Sequence, residues 1–165
     1  MKFITDGMLG KLTRWLRLLG FDVEYANDIE DKKLMAVATQ EKRILLTRDL
    51  ELFKQANAHG VNAFLVEGRT EAERLACMAK KYEFPFEVDV KVSRCPKCNT
   101  QINPVTKESV AEKVEKVTFT YYDEFWQCSN CGQIYWRGAH WKKITDTLDE
   151  AKKIFDNMSQ CSDVK

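Results

Sequence analysis

The chain has 165 residues and a formal net charge of +1, with 44% hydrophobic and 31% charged residues. This length allows one domain of ordinary size plus a small domain stabilised by a metal ion, and it is too short for additional domains. An acid at Asp6 interrupts the region where a secretory signal would be apolar, and no apolar run is long enough to span a membrane, so we expect a cytoplasmic protein that binds no membrane.

The first half of the chain alternates short apolar runs with helical patterns, which predicts a parallel sheet flanked by helices. The predicted strands cover residues 2–5, 21–25, 44–46 and 61–66. The predicted helices cover residues 9–19, 31–42, 50–58 and 71–82. Gly20 suits the end of the first helix, and Asp31 is a favourable N-cap for the second. The fold class is therefore α/β, an open and mainly parallel sheet flanked by helices, in a domain at residues 1–90.

The second half is expected to form a smaller unit. An acid-rich linker at residues 83–89 leads into a zinc ribbon at residues 91–143, and residues 144–165 form a C-terminal helix and tail. Alternating aromatic residues predict a ribbon strand through Phe119, Tyr121 and Phe125. The amphipathic pattern of the closing helix covers residues 145–158.

Two Cys-x-x-Cys pairs predict a tetrahedral metal site whose ligands are Cys95, Cys98, Cys128 and Cys131. Four thiolates close the coordination sphere, so the zinc would be structural. Two disulfides or a redox dithiol are the alternatives, although two separate knuckles fit metal better. The sequence pattern assigns no chemical role to the remaining cysteines, Cys77 and Cys161.

The ribbon region is basic and aromatic. Residues 91–143 contain nine basic and five acidic residues, whereas residues 1–90 contain 14 and 15. This surplus of positive charge favours the binding of a polyanion. The candidate RNA-stacking and RNA-contact residues are Trp136, Arg137, His140 and Trp141. Packing is the alternative for the two tryptophans, and a structural hydrogen bond is the alternative for the histidine.

Three acids follow predicted strands: Asp6, Asp31 and Asp49, with Glu51 two residues beyond the last. Ligands of an open parallel sheet bind beyond the carboxyl ends of its strands, and carboxylates there suit Mg²⁺ or Mn²⁺. Such ions serve phosphodiester hydrolysis. Helix capping is the competing explanation for each acid, and Asp28 competes with Asp31 as the second acid.

Three arginines lie near these acids in the sequence. Arg14 and Arg17 are on the first predicted helix, and Arg48 precedes Asp49 directly. Guanidinium groups can hold phosphates bidentately, or they can act as salt-bridge partners of the acids. We treat all three as candidate substrate-binding residues.

Five sequence blocks, in order, resemble the Mut-seven carboxy-terminal RNase domain family over about residues 1–145. These blocks are Phe3-Ile4-Thr5-Asp6-Gly7-Met8-Leu9-Gly10-Lys11-Leu12, Arg14-Trp15-Leu16-Arg17-Leu18-Leu19-Gly20-Phe21-Asp22, Leu45-Leu46-Thr47-Arg48-Asp49, Arg94-Cys95-Pro96-Lys97-Cys98-Asn99 and Trp136-Arg137-Gly138-Ala139-His140-Trp141. The resemblance implies a PIN-like fold fused to a zinc ribbon, an RNA substrate, and cleavage dependent on magnesium or manganese. It assigns catalysis to Asp6, Asp31 and Asp49, while Glu51 stands where related PIN-like proteins often have Asp.

The sequence thus leads to one hypothesis and one alternative. The hypothesis is a metal-dependent ribonuclease whose zinc ribbon binds RNA. The alternative is a non-catalytic module, in which the ribbon binds RNA or serves as a protein-interaction adaptor and the acids only cap helices. The RNA target, the mode of cleavage and any protein partners stay open.

Overall fold

The computed structural model describes residues 1–160, with the side chains of Ser159 and Gln160 left out. Cys161 and the predicted C-terminal tail lie outside the described residues. Within the described chain, none of the helices combines the length and apolar character needed to cross a membrane.

Residues 1–82 form a parallel sheet with connecting helices, as predicted. The strands are β1 (Lys2–Thr5), β2 (Asp22–Tyr25), β3 (Ile44–Thr47) and β4 (Ala63–Leu65), in the spatial order β2-β1-β3-β4. The helices are α1 (Gly10–Leu18), α2 (Asp31–Gln40), α3 (Leu50–Ala58) and α4 (Glu71–Tyr82), and a 3-10 turn at Gly7–Leu9 precedes α1. Most element bounds match the prediction, and the fourth strand is shorter than expected.

The two faces of the sheet are covered by different helices. Phe3 and Leu46 face α1 and α4, whereas Ile4 and Leu45 face α2 and α3, and all four are at most 1% exposed. Successive side chains of a strand point to opposite faces, so each central strand contributes to two cores. This arrangement explains why the strands contain continuous apolar runs.

The C-terminal helix α6 (Ala139–Gln160) packs against the core that lies between the sheet, α1 and α4. It begins before the predicted start at residue 145, so the predicted boundary between residues 143 and 144 falls inside a helix. Leu148 and Ala151 are buried in the core that α1 and α4 share. The predicted linker also packs there through Phe84, Phe86 and Val88, so it is not a free connection.

The ribbon is an antiparallel sheet of β5 (Ile102–Val105), β6 (Phe125–Cys128) and β7 (Ile134–Tyr135), with a short helix α5 (Lys116–Tyr121) between the first two strands. The predicted strand through Phe119 and Tyr121 is wrong, because both residues lie in α5 and only Phe125 is in a strand. An alternation of two aromatic residues is too short to distinguish a strand from a helical turn. Tyr121 is 76% exposed, so no burial fixes a strand there.

Arg17 joins the α/β domain to the first cysteine knuckle. Its side chain is 6% exposed, and its Nε donates to the carbonyl oxygen of Val23 at 2.9 Å. Its Nη1 donates to the carbonyl oxygens of Pro96 at 3.0 Å and Lys97 at 3.2 Å. Charge-assisted hydrogen bonds of this kind are stronger than neutral ones, so Arg17 holds the knuckle against α1 and β2.

Asn99 makes the reciprocal contact from the knuckle. Its Nδ2 donates to Oδ1 of Asp22 at 2.8 Å, and its Oδ1 accepts from the backbone N–H of Val23 at 3.0 Å. Asn99 has φ 69°, a left-handed conformation that asparagine tolerates better than most residues. Burial raises the pKa of Asp22, but hydrogen bonds from Arg43 and Asn99 outweigh this effect and lower the pKa from its ordinary value.

Replacing Arg17 should loosen this joint. We expect Arg17→Met to lower the free energy of unfolding by about 3 kcal/mol, because buried carbonyl oxygens would lose their donors. Urea unfolding followed by circular dichroism measures the change. Arg14→Met, an exposed position on the same helix, is the matched control and should change stability by less than about 0.5 kcal/mol. Equal effects of the two substitutions would contradict the role of Arg17.

Candidate active site and metal centre

The four knuckle cysteines converge as the sequence predicts. The sulfurs of Cys95, Cys98, Cys128 and Cys131 all lie within 4.8 Å of one another. The Cys98–Cys128 and Cys95–Cys131 sulfur distances are 3.3 Å and 3.6 Å. Tetrahedral zinc, bonded to sulfur at about 2.3 Å, places its ligands roughly 3.8 Å apart. The cluster is positioned to bind a metal ion and fits zinc, whereas bonded disulfide sulfurs would lie about 2.05 Å apart.

Groups around the cysteines favour a thiolate at Cys98 but not at Cys131. A backbone hydrogen bond from Gln133 lowers the pKa of Cys131, but burial and the neighbouring sulfurs outweigh it and raise the pKa to about 12. The hydroxyl of Tyr135 lies 3.0 Å from the Cys95 sulfur, and burial together with this sulfur raises the pKa of Tyr135, so the phenol stays protonated as a donor. Burial raises the pKa of Cys98, but hydrogen bonds from Thr100 and Asn130 outweigh it and lower the pKa to about 5. Outer contacts of this kind orient metal ligands. The sequence pattern alone did not reveal Tyr135.

Asp6 and Asp49 lie at the carboxyl ends of the neighbouring strands β1 and β3. Oδ1 of Asp6 accepts from the backbone N–H of Met8 at 2.9 Å, which caps the 3-10 turn. Oδ1 of Asp49 accepts from the backbone N–H groups of Glu51 at 2.7 Å and Leu52 at 3.1 Å, which caps α3. Both acids therefore perform the capping role that the sequence offered as the alternative.

Thr47 connects the two acids. Its hydroxyl donates to Oδ2 of Asp6 at 2.5 Å and accepts from the backbone N–H of Asp49 at 2.9 Å. Thr47 is fully buried, so its hydroxyl has a fixed place between the ends of β1 and β3. The sequence analysis did not identify Thr47 as a site residue. A polar residue at the end of an apolar strand could have indicated it.

Asp31 is placed differently. It is the first residue of α2 and is exposed, while Glu30 occupies the N-cap position, so the predicted N-cap role of Asp31 is wrong. Its competitor Asp28 is also exposed and has φ 58°. The side chain of Glu51 forms an exposed ion pair with Lys54 at 3.2 Å.

Within residues 1–160, the cysteine cluster is the one group of three or more potential metal ligands whose donor atoms lie within 4.8 Å. Ligands of one octahedral Mg²⁺, bonded at about 2.1 Å, lie at most roughly 4.2 Å apart. The structure therefore brings Asp6 and Asp49 to one edge of the sheet, but it does not gather Asp6, Asp31 and Asp49 into direct ligation of a single ion.

The predicted RNA-contacting arginines fall into two groups. Arg14 and Arg48 are exposed, and Arg48 lies directly beside Asp49. Arg17 is buried in the joint described above, so its placement does not fit the predicted contact with RNA. Nε and Nη1 of Arg17 already donate to backbone carbonyl oxygens. Contact of Arg17 with RNA stays a prediction.

The aromatic stretch after the second knuckle is partly packed. The guanidinium of Arg137 lies 5.6 Å from the ring centre of Trp126 and 5.1 Å from that of Trp141, which are cation–π distances. The ring of Trp136 lies 6.4 Å from that of Phe125 and is 36% exposed. His140 is exposed. Arg137 thus packs against Trp126 and Trp141, while Trp136 and His140 stay accessible to solvent.

Loss of the cysteine cluster should release metal and destabilise the protein. We expect Cys98→Ser to reduce bound zinc from one per chain to a small fraction and to lower the melting temperature by about 5 °C or more. Elemental analysis and thermal unfolding measure both effects. Cys77→Ser, a half-buried position on α4, is the control and should retain its zinc. Full zinc retention by Cys98→Ser would contradict the assignment.

Comparison with known proteins adds one finding. The family model of the Mut7-C RNAse domain matches residues 1–148. Searches of the curated proteins and of the solved structures found no match. The matched range covers the parallel sheet, the whole ribbon and the first part of α6, and it includes every site residue described above. The chain therefore belongs to the Mut7-C RNAse domain family.

Proposed function

We propose that the protein is a divalent-metal-dependent ribonuclease that hydrolyses RNA phosphodiester bonds at the edge formed by Asp6, Thr47 and Asp49. Membership of an RNAse domain family suggests ribonuclease activity. The observation that carries the finer proposal is the buried Thr47 hydroxyl, which donates to the carboxylate of Asp6 and accepts from the backbone N–H of Asp49, so that it ties these two acids to one edge of the sheet. Converging carboxylates at this edge of a parallel sheet suit a hard cation.

The hydrogen bonds around the acids support this role. Thr47 and the backbone N–H of Met8 each donate to one oxygen of Asp6, which fixes the orientation of this carboxyl group. Two backbone N–H groups at the start of α3 donate to Oδ1 of Asp49, and the positive end of a helix favours a negative side chain. In the described residues no hydrogen bond occupies Oδ2 of Asp49, so this oxygen is available to a cation.

A divalent ion bound at this edge would activate water and stabilise the charge that develops on the phosphate. Asp6 and Asp49 would hold it, and Arg48, exposed beside Asp49, would bind a phosphate oxygen. Asp31 would enter the proposal through a bridging water, a second ion or a movement of the loop before α2. Glu51 would contribute only after leaving its ion pair with Lys54.

We also propose that the ribbon binds RNA through Trp136 and His140, and that the protein acts in the cytoplasm.

A second function, an adaptor that binds another protein, is favoured by the exposed apolar side chains of α5. Val117 is 65% exposed and Tyr121 is 76% exposed, one helical turn apart. An adaptor would need neither the carboxylate pair nor a divalent ion.

The charge of Asp49 is the first test. Asp49→Asn should reduce Mn²⁺-dependent cleavage of single-stranded RNA by about a hundredfold or more, because charge is lost at the metal site. Asparagine caps helices as well as aspartate does, so the fold should persist. Asp146→Asn, at an exposed residue of α6, is the matched control and should cleave normally. Undiminished cleavage by Asp49→Asn would overturn the role of Asp49 at the metal site. Absence of cleavage by the unsubstituted protein would leave the adaptor or a non-catalytic RNA-binding module as the function.

Thr47 is the second test, as a positioning residue. Thr47→Val keeps the shape of the side chain but removes the hydroxyl that joins Asp6 to Asp49, so we expect cleavage to fall about tenfold and the Mn²⁺ concentration needed for half-maximal activity to rise. Thr47→Ser should restore both, because it keeps the hydroxyl. A metal dependence unchanged in Thr47→Val would show that the bridge does not shape the metal site.

A further inference from the structure

A small groove lies between helix α1, the first knuckle and helix α6. It has a volume of about 260 Å³ and is lined by Lys11, Arg14, Trp15, Leu18, Pro96 and Ile144. Its floor is apolar, and both of its charged lining residues are cations. We call this feature the α1 groove; the proposed ribonuclease edge does not include it.

The α1 groove occupies the outward face of its helix. Lys11, Arg14, Trp15 and Leu18 recur at spacings of three and four residues, so they share one face. The opposite face, with Leu12 and Leu16, is fully buried in the core. Lys11 and Arg14 are exposed, and in the described part of the chain neither forms an ion pair, so their charges are not neutralised by the protein.

The position of the groove follows from the sheet topology. α1 begins just after Asp6, at the carboxyl end of β1, and runs back to the start of β2. The knuckle contacts that far end, through Arg17, Asp22 and Val23. The ribbon is therefore docked at the edge of the sheet opposite the acids. The face of α1 spans the distance between the two, and Lys11 and Leu18 on it are about 10 Å apart along the helix axis.

We propose that the α1 groove binds one nucleobase of single-stranded RNA and the adjoining phosphates, on the path between the ribbon and the acidic edge; this inference rests on the proposed ribonuclease function. A base stacks on the half-buried indole of Trp15 and contacts Pro96 and Ile144. Arg14 binds a phosphate bidentately, and Lys11 binds the next phosphate towards Asp6. Aromatic stacking combined with cations along the backbone is the usual mode of single-strand binding.

Single-stranded RNA fits better than a duplex for a physical reason. The bases of a duplex are stacked on one another and paired, so none is free to enter a groove of this size. An apolar floor without a hydrogen-bonding side chain from Asn, Gln, Ser or Thr also implies little discrimination among bases. The groove therefore orients the strand and leaves choice of sequence to other contacts.

Binding without cleavage tests the proposal. The probe is a fluorescein-labelled 12-nucleotide oligouridylate, and fluorescence anisotropy is recorded across a range of salt concentrations with no added Mg²⁺ or Mn²⁺, so that affinity is read separately from activity. The double variant Lys11→Ala/Arg14→Ala should weaken binding and reduce the slope of log affinity against log salt by about 1.4, which is the loss of two phosphate contacts on a single strand. Trp15→Leu should weaken binding about tenfold at every salt concentration.

Lys80→Ala/Lys81→Ala is the matched control, because it removes two exposed cations from α4, outside the groove. It should keep the original affinity and salt slope. The alanine variants change exposed side chains, so they remain informative even if Trp15→Leu unfolds. An unchanged affinity and slope in Lys11→Ala/Arg14→Ala would overturn the groove proposal and leave the ribonuclease proposal standing. Failure of the unsubstituted protein to bind the probe would also overturn the groove proposal, whereas the ribonuclease proposal is overturned only by the absence of Mn²⁺-dependent cleavage.

Discussion

The docking of the first cysteine knuckle on α1 and β2 is the contact on which the arrangement of the two units depends. Arg17 donates across it to the knuckle carbonyls, and Asn99 returns two hydrogen bonds to the start of β2. A buried guanidinium is costly unless its hydrogen bonds are satisfied. The knuckle must therefore keep its shape for Arg17 to stay buried, and metal at the cysteines would stabilise the α/β domain as well as the ribbon.

This docking separates the two centres of the protein. The cysteine cluster lies beside the start of β2, whereas Asp6 and Asp49 lie beyond the ends of β1 and β3. A closed four-sulfur site also leaves no open position for a reactant. In this arrangement the cysteine cluster orders a surface, the proposed chemistry would take place at the opposite edge, and α1 is the element between them.

At the acidic edge the same residues cap helices and would serve the proposed catalysis. Asp49 caps α3 with one oxygen and leaves the other available, so its structural role fixes its position without consuming its charge. Thr47 then sets the relation between Asp49 and Asp6. Helix capping and metal binding, which the sequence left open as alternatives, are therefore compatible, because the capping hydrogen bonds hold the carboxylate in one position.

The sequence by itself determined what depends on local pattern. Apolar periodicity set the strands and helices of the α/β domain, and cysteine spacing set the metal cluster, because these signals involve residues close in the chain. Short aromatic alternation failed at Phe119 and Tyr121, where burial does not enforce a strand. Only the tertiary structure decided the burial of Arg17, the Thr47 bridge and the distance of Asp31, because each depends on contacts between segments that are remote in sequence and converge only when the chain folds.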